Sequence, residues 1–229
     1  MAHGSRVVEG QNSQLIKQNL AAKLKEEIIQ GRLAPGQRIV EGLWAKKFGV
    51  AQTSVREAIN LLLGEGFATK ASGRSARVTC YSEEDIGQLY ELRGALEGLA
   101  ARLVAQRQPD LAPLVTALNE MRKATKSGNT QNLVEADLHF HLNLGQLCGN
   151  RFLYAEMVSM LVPLFAFVSM RVVQEHQTAQ AWESDLARHR RIIELIREGD
   201  PISVEFAVRA TMQRFSMRAS EIWREKKAE

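Results

Sequence analysis

The sequence predicts a mainly α protein in two parts. Helices closed by a small β-hairpin come first, and an all-α antiparallel bundle of six helices follows. Three observations predict this. Apolar residues recur at helical spacing along most of the chain, glycine and proline interrupt it at short intervals, and the β-prone runs lie together just before residue 80. Of 229 residues, 45% are hydrophobic and 24% charged, which supplies both a core and a wet surface and excludes a disordered or fibrous chain. No stretch approaches the ~20 apolar residues of a membrane span, and the N-terminus has no apolar signal core. Cys80 and Cys148 form no pairing motif, so a reducing cytoplasm is the expected setting. Met1–Arg6 reads as an appended segment outside the fold.

Ser13 to Gln30 carries Leu20, Leu24 and Ile28 on one stripe, with Gly31 as a stop. Leu33-Ala34-Pro35-Gly36 is a turn in which proline presets the backbone and glycine relieves it. Glu41 to Phe48 is a short helix broken by Gly49. Gln52 to Leu63 follows, with Val55, Ile59, Leu62 and Leu63 as its inner face and Gly64 and Gly66 at its end. Phe67–Ala71 and Ala76–Cys80, around Ser72-Gly73-Arg74-Ser75, read as a hairpin. This is the order of a winged helix-turn-helix, spanning residues 10–80.

A boundary falls near Tyr81, and a second domain covers residues 82–229. Ser82-Glu83-Glu84-Asp85 is a helix start, with Ser82 as cap and acids in the first turn. The predicted helices cover about 82–107, 110–127, 130–149, 150–175, 180–199 and 201–226, separated by short Pro, Gly and Asn breaks. Connections this short make neighbours antiparallel. Pro163 should kink the fourth.

Charge is uneven. Residues 1–80 hold 12 Lys+Arg against 6 Asp+Glu, whereas residues 81–229 hold 18 against 20. A basic head on a slightly acidic remainder suits a nucleic-acid module joined to another function. In a helix-turn-helix the second helix enters the major groove, which here would offer Gln52, Thr53, Ser54 and Arg56 to base edges. Glutamine can pair with adenine and arginine with guanine, each at two points. Gly73 and Arg74 at the hairpin tip suit a wing reaching the minor groove or backbone. Arg38, Lys46, Lys47, Lys70 and Arg77 are candidate phosphate contacts or solvated charges.

The run Ile29-Gln30-Gly31-Arg32-Leu33-Ala34-Pro35-Gly36-Gln37-Arg38-Ile39-Val40-Glu41, followed by Gly49-Val50-Ala51-Gln52-Thr53-Ser54-Val55-Arg56-Glu57-Ala58-Ile59, resembles the GntR family of bacterial transcription regulators. The family usually has Ser-Arg where this chain has Ala51-Gln52. The resemblance therefore implies a double-stranded DNA operator read with an amide in place of one arginine.

In the second domain three helices carry polar groups on an otherwise apolar stripe. Leu133, Asp137, His141, Leu144 and Cys148 recur at spacings of 4, 4, 3 and 4, so Asp137 and His141 share a face. His189 lies on the stripe Leu186, His189, Ile193, Ile196, and Arg93 on the stripe Ile86, Leu89, Arg93, Leu96, Ala100, Leu103. An uncompensated charge there costs several kcal/mol, so these groups must meet one another, a metal or a ligand. Asp137, His141 and His189 could hold a divalent ion, or form a metal-free hydrogen-bonded core cluster. Arg93 could hold a carboxylate, or pair with Glu97 one turn on.

Asp137-Leu138-His139-Phe140-His141, then Gly149-Asn150, His189 and Gly199-Asp200, resemble the FCD effector domain of the FadR branch, and six helices resemble its VanR-type subgroup. The resemblance implies a metal of the zinc or nickel class bound by Asp137, His141 and His189. The last-helix histidine of that pattern falls on Thr211, a poor ligand. It also implies Arg93 as an effector contact, a small carboxylic acid as effector and a homodimer. The expected function is a ligand-responsive transcriptional regulator, a repressor whose paired DNA heads are repositioned by the bound acid. The alternative is a metal-dependent enzyme using Asp137, His141 and His189, although no Gly-x-Ser-x-Gly, phosphate loop or nearby general base accompanies them.

Overall fold

The computed structural model describes residues 3–72, 74–169 and 179–225. It divides into two compact units, Met1–Cys80 and Tyr81–Glu229.

In the first unit, α1 (His3–Ile29) buries Leu20, Ala21, Leu24 and Ile28. It begins well before the first periodic residue and takes in part of the segment that the sequence sets aside. The Pro35-Gly36 turn leads into α2 (Glu41–Phe48), then α3 (Gln52–Gly64). Gly49 between them has φ 66, a left-handed conformation that favours glycine, and its N–H caps α2 on the Ala45 and Lys46 carbonyls. Val55, Ala58, Ile59 and Leu62 bury the inner face of α3. Fully burying residues such as Leu24 and Leu62 stabilises the fold by ~1.5–3 kcal/mol each.

Strands β1 (Ala68–Thr69) and β2 (Arg77–Val78) pair antiparallel, with Ala68 opposite Val78 and Thr69 opposite Arg77. They are shorter than the β-prone runs. Ladder bonds also come from the other side of β2. Arg38 bridges Arg77, Gly36 N–H donates to Val78 O at 3.0 Å, and Ile39 N–H donates to Ala76 O at 2.9 Å. The segment after the Pro35-Gly36 turn thus acts as a third strand and anchors the hairpin to the helices. Its pairing has no alternating signature in the sequence.

The second unit contains α4 (Glu83–Arg107), α5 (Ala112–Ser127), α6 (Thr130–Leu147), α7 (Arg151–Leu164), a π-helical turn Phe165–Ser169, α8 (Ala179–Glu198) and α9 (Pro201–Glu225). A capping box closes the start of α4. Ser82 Oγ accepts from Asp85 N–H at 3.1 Å, and Asp85 accepts from Ser82 N–H at 2.7 Å. Asn129 and Asn150 cap α6 and α7. Gly94 lies against Met212 and Gly98 against Arg209, so α4 and α9 run antiparallel in close contact. The expected helix over 150–175 is interrupted. Pro163 has no N–H for the preceding turn, and the chain widens into the π turn two residues later. The expected stretch past Ser169 lies partly outside the described residues. The core of this unit runs through Ala100, Val104, Leu114, Phe140, Leu144, Met157, Leu161, Ile196, Val204 and Val208.

Candidate functional site

The first unit presents α3 to solvent through Gln52, Thr53 and Arg56, with Ser54 half-buried at its edge. Arg56 is not free. Its Nε donates to both Glu41 oxygens at 3.1 Å, and its second terminal nitrogen donates to Glu41 Oε2 at 2.8 Å. That fork holds the Glu41 carboxyl below its usual range. The guanidinium is therefore aimed by α2 while its outer edge stays exposed. Gln52 is seated over Gly42, where a Cβ would come within 2.9 Å of its Nε2. Arg38, Glu41, Arg56, Lys70 and Arg74 line a concavity of about 380 Å³, four cations around one acid. Lys47 is held by Glu27 at 2.8 Å and Arg77 donates to the Gly36 carbonyl at 2.9 Å, so both are committed within the fold. Arg74 is exposed near the hairpin tip, and Gly73 lies outside the described residues.

In the second unit, α6 supplies Asp137 and His141 one turn apart, α8 supplies His189, and α4 supplies Arg93 and Glu97. The five side chains meet. Asp137 Oδ1 lies 3.1 Å from His141 Nε2 and 2.9 Å from His189 Nε2, and the two Nε2 atoms are 3.4 Å apart. His189 Nδ1 donates to the Asp185 carbonyl at 2.8 Å. A carbonyl only accepts, so the neutral ring carries its proton on Nδ1 and turns a bare Nε2 toward Asp137. His141 Nδ1 touches Glu97 Oε2 at 2.5 Å, and the other Glu97 oxygen accepts from Arg93 Nε at 2.5 Å. Phe140 stands edge-on to His189 with ring centroids 4.6 Å apart, and Phe165 covers His141 at 5.8 Å.

The electrostatics are unbalanced by one charge. One guanidinium faces two carboxylates, Glu97 and Asp137, in a site where Arg93, Glu97, His141 and His189 are all buried. Burial alone would raise the Glu97 carboxyl, but Arg93 and His141 outweigh it and hold it down to about 2. Burial would likewise raise Asp137, yet the hydrogen-bonding and charge of both histidines hold it far below the carboxylate range. His141 is pushed up: burial opposes its charge, and Glu97 and Asp137 overcome that. The cluster attracts a cation, which can be a proton on His141 or a metal ion.

The donor set fits a metal. One oxygen and two imidazole nitrogens from Asp137, His141 and His189 lie within 4.8 Å of one another. Asp137 is half-buried as a residue, but its Oδ1 is sealed from solvent with no aligned hydrogen bond. Glu97 and the Asp185 carbonyl hold the outer nitrogens, the usual support behind ligating histidines. Thr211 lines the same cavity, but its hydroxyl donates to the Ala207 carbonyl at 2.8 Å, so it offers the site little. His139 is exposed and points away.

Sequence reasoning finds Arg93, Asp137, His141 and His189 but treats Glu97 only as a partner for Arg93. Its signal was present: Glu97, Ala101 and Val104 form a buried stripe at spacings of 4 and 3. Trp182 extends the His189 stripe one turn back and also lines the cavity.

Residues 16–78 match the family described as bacterial regulatory proteins, gntR family, and residues 88–214 match the FCD domain. The chain is 30% identical over 181 residues to the HTH-type transcriptional regulator YdhC of Bacillus subtilis (strain 168), covering 77% of this chain and 78% of that one. It is 27% identical over 206 residues to a protein of Paenarthrobacter nicotinovorans named a probable D-xylose utilization operon transcriptional repressor, covering 88% and 89%. Among solved structures, Escherichia coli McbR/YncC shares the fold with a TM-score of 0.72 at 17% identity, covering 92% of this chain and 98% of that one.

Proposed function

The chain belongs to the gntR family of bacterial regulatory proteins and carries an FCD domain after its DNA-binding head, and from that premise we propose how it regulates. It is a DNA-binding transcriptional regulator that responds to a ligand, and the enzymatic alternative for Asp137, His141 and His189 falls away with the family. In our reading it is a cytoplasmic homodimeric repressor. Gln52, Thr53, Ser54 and Arg56 read base edges in the major groove, and Gly73 and Arg74 follow the wing to the backbone or minor groove. Two such heads engage half-sites about 34 Å apart or at a related spacing. Ile202 and Phe206, one turn apart on α9 and 80% and 72% exposed, offer apolar surface that a second copy would cover.

The observation that carries the sensing half is the sealed, unaligned Asp137 Oδ1 between two bare imidazole nitrogens. Asp137, His141 and His189 hold a divalent ion of the zinc or nickel class, which leaves coordination positions open to an effector oxygen. Arg93, already engaged by Glu97, contributes positive potential to the carboxylate of a small organic acid. Occupancy then biases the DNA heads, and by linkage DNA must change effector affinity by the same factor. Elemental analysis of purified protein beside Asp137→Ala tests the site: metal near one equivalent in the wild type and none in the variant supports it, and equal traces in both refute it.

A further inference from the structure

The cavity that opens onto Asp137, His141 and His189 has a second polar feature. Its walls are largely apolar, built from Met121, Leu133, Leu186 and Phe215 among others, and its free volume is about 50 Å³. Trp182 lines it from α8 and is 9% exposed, yet its indole Nε1 has no hydrogen-bond partner among the described residues. Arg188 lines the same cavity. Its terminal nitrogens are held by Ser184 and Asp185, while its Nε is sealed and likewise without a hydrogen bond. Buried N–H groups are rarely left unmade. An indole N–H donates and cannot accept, and a guanidinium stays protonated, so both require an acceptor atom.

We propose that the Trp182 indole N–H, assisted by Arg188 Nε, is a subsite for a second oxygen of the effector, which is therefore a short carboxylic acid carrying a further oxygen acceptor. One oxygen group goes to the Asp137 end, the chain crosses the apolar walls, and the second oxygen accepts from α8. The small free volume suits a short chain and excludes a fatty acid. This inference rests on the effector reading above and adds the ligand's class to it.

The test uses matched pairs. Propionate, butyrate and pentanoate are titrated by calorimetry, with zinc present, beside malonate, succinate and glutarate into the full chain and its Trp182→Phe variant. The expected result is that the best diacid binds the wild type about tenfold more tightly than its alkanoate, the worth of one buried hydrogen bond. The variant loses that margin and keeps its alkanoate affinity. Nitrogen-15 spectra supply a readout that does not depend on the variant's stability: the diacid shifts the Trp182 indole N–H resonance and the alkanoate leaves it in place. A margin retained in the variant, or an unmoved resonance, overturns the subsite and leaves the cavity reading standing. Failure of every acid to bind the wild type overturns both.

Discussion

Glu97 Oε2 lies 2.5 Å from His141 Nδ1, both groups being fully or almost fully buried. The contact joins two functions that the sequence keeps apart. Glu97 neutralises Arg93 with one oxygen and steadies the outer nitrogen of a candidate metal ligand with the other. Glu97→Gln keeps the shape and removes the charge. It should weaken zinc binding by about 10–100-fold, the usual cost of losing an outer-shell partner. Calorimetric titration of the folded variant checks this, and an unchanged affinity would show that Glu97 serves packing alone.

The Arg56–Glu41 fork makes a separate prediction for the head. Arg56→Ala should cost about 1–3 kcal/mol of DNA binding. Because Arg56 is exposed and lies in the other compact unit, zinc-dependent melting should be retained. Anisotropy with operator DNA and thermal shift with zinc read the two effects. A variant that loses both would contradict the division into a reading head and a sensing bundle.

Gly42 bears on sequence preference. A methyl at this position would lie 2.9 Å from Gln52 Nε2, so Gly42→Ala must push the amide aside without touching the core. Selection from a random DNA library should then return an altered preference at the base read by Gln52, with the melting temperature unchanged. An identical consensus from both proteins would remove Gln52 from the reading set.

Acid stability should depend on Glu27. Hydrogen bonds from Arg32 and Lys47 hold its carboxyl down to about 2 from 4.5. A carboxyl depressed by folding contributes stability that is complete above pH 4.5 and is lost as pH falls toward 2. The wild type should therefore lose its melting-temperature advantage over Glu27→Gln progressively below about pH 4.5. Parallel curves across that range would mean that these hydrogen bonds contribute nothing to the fold.

Much of this architecture is legible in the sequence because it rests on local rules. The stripes of Val55-Ile59-Leu62 and Asp137-His141-Leu144 are helical periodicity, Gly49 marks a left-handed cap, and Ser82 with Asp85 is a capping box. The rest depends on pairings between distant segments. Residues 36–39 join the hairpin through backbone bonds that leave no side-chain pattern. Glu97 meets His141 because two helices pack, and charge alone suggests a solvated residue. Arg56 is aimed by Glu41 from another helix, and the open Nε1 of Trp182 is defined by what the cavity fails to offer it.

The most direct test of the central claim, that the Asp137–His141–His189 cluster governs the DNA head, is one affinity measured four ways. Anisotropy with DNA upstream of the chain's own gene is recorded for the wild type and Asp137→Ala, each with and without zinc plus succinate. The predicted result is a weakening of about tenfold in the wild type, within the usual range of coupling energies, and none in the variant. An equal response in both proteins, or no response in either, would contradict it.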